Sequence, residues 1–184
     1  MTQYSYPDDD SSVGNWIASS GTDRWEMIND DQASVSDSDY ISSTAGGGDT
    51  STDPIIVTLT DISTPEDRDD HYIKYRTKGS GGMMGSTPTL QVELMEGATV
   101  HKSDTNSSVG GSFGDVSITI SSADAGDISD YSALSIRITR GGGGGAGGEN
   151  AYVSHIYLQC NDAAAETGAI APVAMNTYKQ MRGD

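Results

Sequence analysis

Residues 128–139 read Ile128-Ser129-Asp130-Tyr131-Ser132-Ala133-Leu134-Ser135-Ile136-Arg137-Ile138-Thr139. The first half carries turn chemistry, Ser and Asp side chains that bond the nearby backbone. The second half alternates Leu134, Ile136 and Ile138 with Ser135, Arg137 and Thr139, which puts the aliphatics on one face of a strand and the polar residues on the other. The same period recurs at Ile55, Val57, Leu59; at Ile73, Tyr75, Thr77; at Leu90, Val92, Leu94; at Val116, Ile118, Ile120; and at Tyr152, Ser154, Ile156, Leu158 or the face opposite to them. Trp25 to Ile28 and Asp39 to Ser42 are weaker candidates. Turns rich in Gly, Ser, Asp and Pro separate the segments by distances too wide for tight hairpins. The pattern predicts about eight strands in two facing sheets, an all-β, antiparallel, jelly-roll-like β-sandwich.

Composition pulls the other way. Acidic residues number 27 against 10 basic, a net charge of −17, and Leu, Ile, Val and Phe together are 29 of 184 residues. Few aliphatics with high charge usually signal disorder. The chain escapes because its aliphatics are concentrated in alternating runs and because 9 Tyr and 2 Trp add bulk. A sandwich of short strands needs only one apolar face per strand. The excess of Asp over Glu favours turns over helix interiors. Helical expectation is confined to one capped turn over 122–128 and an Ala-rich turn over 162–166, too little for a parallel α/β sheet. The domain layout expected is an N-terminal extension over 1–15, a sandwich over 16–160 and a C-terminal arm over 161–184. Gly-rich stretches at 45–49 and 79–85 read as mobile or partner-held loops, and 141–148, seven Gly in eight residues, as a run whose backbone entropy no isolated fold benefits from.

Several functions are disfavoured at this level. No run reaches the ~18 apolar residues of a membrane helix, and the start lacks the order of a signal peptide, so neither a membrane nor an export route is expected. The negative charge repels phosphate backbones, which disfavours nucleic acid. Cys160 stands alone, leaving no disulfide framework and no Cys-based metal site. Gly110, Ser112 and Gly114 match a nucleophile elbow literally, but a strand follows where a helix is required. His71, His101 and His155 lack metal-ligand spacing, and His155 fits a pleat position in a strand. No phosphate or dinucleotide loop is present, so no cofactor and no catalytic residue are expected. Clustered aspartates could supply a Ca²⁺ ion with oxygens, Asp67, Asp69 and Asp70 being the candidates. Trp25 reads as closing the core, whereas Trp16 is balanced between core and a glycan contact. Arg182-Gly183-Asp184 and the Asn106-Ser107-Ser108 sequon carry no function without a secretory route.

Taken in order, the motifs resemble a family of β-sandwich virion proteins of tailed bacteriophages and prophages. They comprise the stretch from Pro7 to Trp16, Trp25 to Ile28, Asp37 to Ile41, Tyr75-Arg76, Val92 to Gly97, the block from Ile128 to Thr139, and Val153-Ser154. The resemblance spans about residues 7 to 160. The run 141–148 and the arm after Cys160 depart from it. It implies a virion component without catalytic residues. The expectation is a capsid decoration or cement protein on the outer surface of the head, binding the major capsid protein and itself as a homotrimer. Met175, Tyr178, Met181 and Arg182 of the arm are the expected subunit contacts. The alternative is a module of a tail, collar or head fibre that binds host glycans through its loops and Trp16.

Overall fold

A computed structural model of the protein describes residues 1–43, 53–80, 87–107, 109–141 and 150–161. The strands are β1 Thr2–Ser5, β2 Pro7–Ser12, β3 Trp16–Ala18, β4 Ile41–Ser43, β5 Ile55–Leu59, β6 His71–Gly79, β7 Thr89–Glu96, β8 Thr99–Asn106, β9 Gly114–Ile120, β10 Leu134–Gly141 and β11 Ala151–Asn161. All pairings are antiparallel. One sheet runs β3-β4-β11-β6-β9, with β1 also on β11; the other runs β2-β5-β10-β7-β8. The predicted antiparallel sandwich is the fold.

The alternating segments became strands because each has one face to bury. Burial alternates residue by residue along β6 and β10. Ile55, Val57, Leu90, Val92, Leu94, Ile136 and Ile138 of one sheet and Ile73, Val153, Ile156 and Leu158 of the other are all shielded from solvent and belong to one core. Each such side chain contributes about 1.5–3 kcal/mol relative to exposure. The core is therefore adequate despite the meagre aliphatic count.

Four expectations need correction. The first fifteen residues are not an extension: β1 pairs with β11 and β2 with β5, so the N-terminus contributes one strand to each sheet. Trp25–Met27 forms a 3₁₀ turn rather than a strand, its first amides held by Asp10, whose Oδ2 accepts from Arg24 N at 2.7 Å and Oδ1 from Trp25 N at 2.9 Å. Trp25 still packs, half-buried, against the core. A tight hairpin does occur, between β7 and β8, where Glu96 pairs with Thr99 and Gly97 takes φ +58, the backbone such two-residue turns need. Trp16 is 2 % exposed, because pairing of β3 with β4 turns its ring inward. It cannot stack on a glycan in this position.

Of the two helical turns anticipated, the one at the start of 122–128 is present. In α1, Ser122–Gly126, Ser121 Oγ accepts from Asp124 N and the Asp124 carboxylate accepts from Ser121 N, a reciprocal capping box. Among the described residues no helix is long and apolar enough to cross a membrane.

Candidate functional site

The outward face of the six-stranded sheet is built by register. On β6, Tyr72, Lys74, Arg76 and Lys78 are the half-buried residues that alternate with buried ones. Arg76 pairs with Asp115 on β9 and with His155 on β11; Lys74 pairs with Ser117 and Tyr157; Lys78 pairs with Tyr152. The register on β11 shifts between Val153 and His155, leaving Ser154 as an extra residue in a bulge. A bulge re-aims side chains. Here it changes the phase of β11, so that Val153 and Ile156 both face the core while Ser154 and His155 both turn to the outer face beside Arg76.

The segment between the 3₁₀ turn and β4 crosses this face. Ile28 O accepts from Ile156 N at 3.0 Å, next to the bulge. The segment is braced by its own aspartates: Asp30 Oδ2 accepts from Ser36 N at 2.7 Å and Asp31 Oδ1 from Ala33 N at 2.9 Å. It delivers Asp37 onto Arg76. The guanidinium bonds Asp37 through Nε to Oδ1 at 2.7 Å and through Nη2 to Oδ2 at 2.8 Å, and Asp115 Oδ1 through Nη1 at 3.1 Å. Ser154 Oγ adds a bond to Asp37 Oδ1 at 3.2 Å. Arg76 lowers the Asp37 carboxyl below its ordinary range, chiefly by this hydrogen bonding. The two carboxylates in turn raise the guanidinium's affinity for its proton.

Beside this array lies a cleft of about 550 Å³, lined by Gln32, Asp37, Arg76, Asp115, His155 and Tyr157 among others. Buried aromatic rings back it on one side: His155 and Tyr157, 4 % and 6 % exposed, lie tilted with centroids 4.9 Å apart, and Tyr6 and Tyr4 pack on Tyr157 at 5.7 and 6.0 Å. Burial keeps the His155 ring on the neutral side of its usual range. Further along β6, Tyr40, Tyr152 and Phe113 surround the Lys78 ammonium, with ring centroids 5.5, 4.9 and 4.4 Å away. A concave site with rings on its walls and a few fixed polar groups can hold a molecule that has both apolar faces and hydroxyls.

Trp16, Asp67, Asp69 and Asp70 do not line this cleft. Asp67 Oδ1 accepts from Asp69 N, and Asp70, at φ +57, accepts from the Tyr72 hydroxyl, so their carboxylates serve local turns. Among the described residues no group of three His, Cys, Asp or Glu is placed to hold a metal. Ser112 precedes β9, a strand and not a helix. Cys160 is buried on β11. Met175, Tyr178, Met181 and Arg182 lie outside the described residues, as do 45–49, 142–148 and the turn over 162–166. The cleft was missed because its members are scattered through the chain. One local sign was available, the outward row of three cations Lys74, Arg76 and Lys78 in a chain with only 10 Lys and Arg.

No protein-family model matches the chain, and no curated protein does. Several solved structures are similar to it. A carbohydrate-binding module (CBM6cm-2) from Cellvibrio mixtus lichenase 5A, in complex with cellotriose, shares 16% identity over 88% of this chain and 98% of that one, with a TM-score of 0.41. A xylan-binding module CBM15 shares 15% over 87% and 98%, with a TM-score of 0.46. A CBM4 structure shares 13% over 81% and 92%, with a TM-score of 0.40.

Proposed function

We propose that the protein is a carbohydrate-binding module and that the cleft on the outer face of its six-stranded sheet is the recognition surface. The observation that carries this is the fixed array of Arg76, Asp37 and Asp115, with the half-buried rings of Tyr40, Phe113 and Tyr152 further along the same face. Sugars present hydroxyls around their edges and C–H groups on their faces. Planar charged side chains held in place by one another bond the first, and aromatic rings cover the second. Because Arg76 is fixed from two sides, little side-chain entropy is lost when a ligand arrives.

The role is binding without chemistry. A glycosidase acid must be held protonated near neutral pH. Asp37, one of two carboxylates that line the cleft, is shifted in the opposite direction, which suits it to accept hydrogen bonds. The capsid-decoration expectation drew on the single sandwich, the acidic surface and the C-terminal extension, of which residues 162–184 lie outside the described residues. The described residues favour the glycan alternative, with the binding surface moved from Trp16 and the loops to the sheet face.

Affinity electrophoresis against a panel of soluble neutral and acidic polysaccharides, with an array of host-surface glycans, tests the reading. Retardation by at least one polysaccharide, abolished by Arg76→Gln in a protein that melts cooperatively, is the expected result. Absence of binding across the panel overturns it.

A further inference from the structure

The row Lys74, Arg76, Lys78 is unusual for its setting. These are three of 10 Lys and Arg in a chain of net charge −17, placed at alternate positions on one outward strand face. Most other described cations are already committed. Lys102 and Arg137 pair with Asp124 and Glu93, Arg140 is buried, and Arg24 bonds the carbonyl of Trp16. Within the row, Arg76 is matched by Asp37 and Asp115. Lys74 and Lys78 differ. Among the described residues neither ammonium lies within ion-pair distance of a carboxylate, and each is held over aromatic rings instead, Lys74 over Tyr72 at 5.5 Å and Lys78 over Tyr40, Phe113 and Tyr152.

A cation resting on a ring keeps its positive charge and its hydrogen-bond donors. Lys74 lines the cleft and Lys78 sits two residues beyond Arg76. Four steps along the strand separate the two ammonium-bearing positions, about 13 Å of backbone. That span exceeds a single sugar ring, and the rings at both ends give a chain somewhere to lie.

We propose that this face takes a linear anionic glycan, its carboxylate or sulfate groups pairing with Lys74 and Lys78 while its hydroxyls bond the Arg76, Asp37 and Asp115 array. This rests on the carbohydrate reading above. Asp37 and Asp115 on this face are matched by Arg76, and carboxylates farther off than the Debye length of about 8 Å at physiological salt are largely screened. The two lysines then set specificity, and the central array supplies contacts that any glycan could use.

The test uses pairs of ligands that share a backbone and differ in charge: hexagalacturonate against its methyl ester, and dextran sulfate against dextran. Calorimetric titrations should show the charged member of at least one pair binding about tenfold or more tightly, with affinity falling as salt rises. The pair that responds identifies carboxylate or sulfate as the anion. The double variant Lys74→Gln, Lys78→Gln should lose that preference and retain its melting temperature, while Lys102→Gln on β8 leaves binding unchanged. Equal binding of charged and neutral members, or a preference that survives the double variant, overturns the anionic specificity while leaving a neutral-glycan module standing. Failure to bind any member here or any polysaccharide in the wider panel overturns both.

Discussion

Arg76 on β6 grips Asp37 with two parallel hydrogen bonds, Nε to Oδ1 at 2.7 Å and Nη2 to Oδ2 at 2.8 Å, across 39 positions of sequence. The pair ties the crossing segment to the sheet and fixes one wall of the cleft. Its side chains are 25% and 43% exposed, so its contribution to stability is modest, below about 1 kcal/mol after solvent screening. Its importance is geometric.

The consequence for Asp37 is measurable. Its folded-state carboxyl titrates below the ordinary value, so the stabilisation is present above the unfolded value and is lost as pH falls through the folded one. In Arg76→Met the Asp37 carboxyl should return upward, and Arg76→Lys should restore the shift only in part, because an ammonium cannot make the parallel pair. Carbon-detected NMR titration of Asp37 reads this directly. An unchanged titration in Arg76→Met contradicts the pairing.

Glu96 gives a second pH-dependent effect at the other sheet. Its carboxylate accepts from the Ser129 hydroxyl and amide and from His101, and the Ser129 bonds chiefly pull it down from 4.5 to about 2. The sign follows from the depressed value: this stabilisation is full above about 4.5 and disappears as pH falls toward 2. Glu96→Gln should flatten the rise of stability between pH 2 and 4.5 measured by chemical denaturation. A slope identical to wild type removes Glu96 from the acid transition.

Trp16→Ala should cost about 3–5 kcal/mol, the range for truncating a buried aromatic in a packed core, because the ring is 2 % exposed. Denaturant melts give the value. A loss below about 1 kcal/mol would mean that the ring lies at the surface, as a glycan contact requires.

Gly14 turns the chain between β2 and β3 at φ +49, and a Cβ there would meet Pro54 O at 2.5 Å and Asp53 O at 2.6 Å. Gly14→Ala should destabilise by more than about 1 kcal/mol, combining the left-handed backbone with a clash against rigid main chain. Gly97→Ala is the control, since its φ is +58 with open space around it. The Gly14 variant should lose more than the Gly97 variant in thermal melts, and the reverse order refutes the close approach to Pro54.

How legible a strand was depended on what it buries. β5, β6, β7, β9 and β10 announced themselves because period-two alternation is the signature of a strand with one dry face. β8 was silent because all of its residues stay exposed or half-exposed, so no apolar rhythm marks it. β2 was hidden for a similar reason, its Asp8, Asp9 and Asp10 recruited to the sheet by backbone pairing with β5 rather than by side-chain burial. β11 showed two competing faces, and both were partly right: the bulge at Ser154 changes which parity faces the core.

The sequence by itself determined the class of fold, through the spacing of a small set of aliphatics, and it placed a capped helical turn over 122–128. It also displayed the row Lys74, Arg76, Lys78, since alternate positions of one strand share a face whatever the partner strands are. Only the tertiary structure decided that Trp16 points inward and that Asp37, Arg76, Asp115 and His155 meet. Strand register and a single bulge fix those contacts between residues some 40 to 120 positions apart, and no local pattern in the chain encodes such long-range pairing.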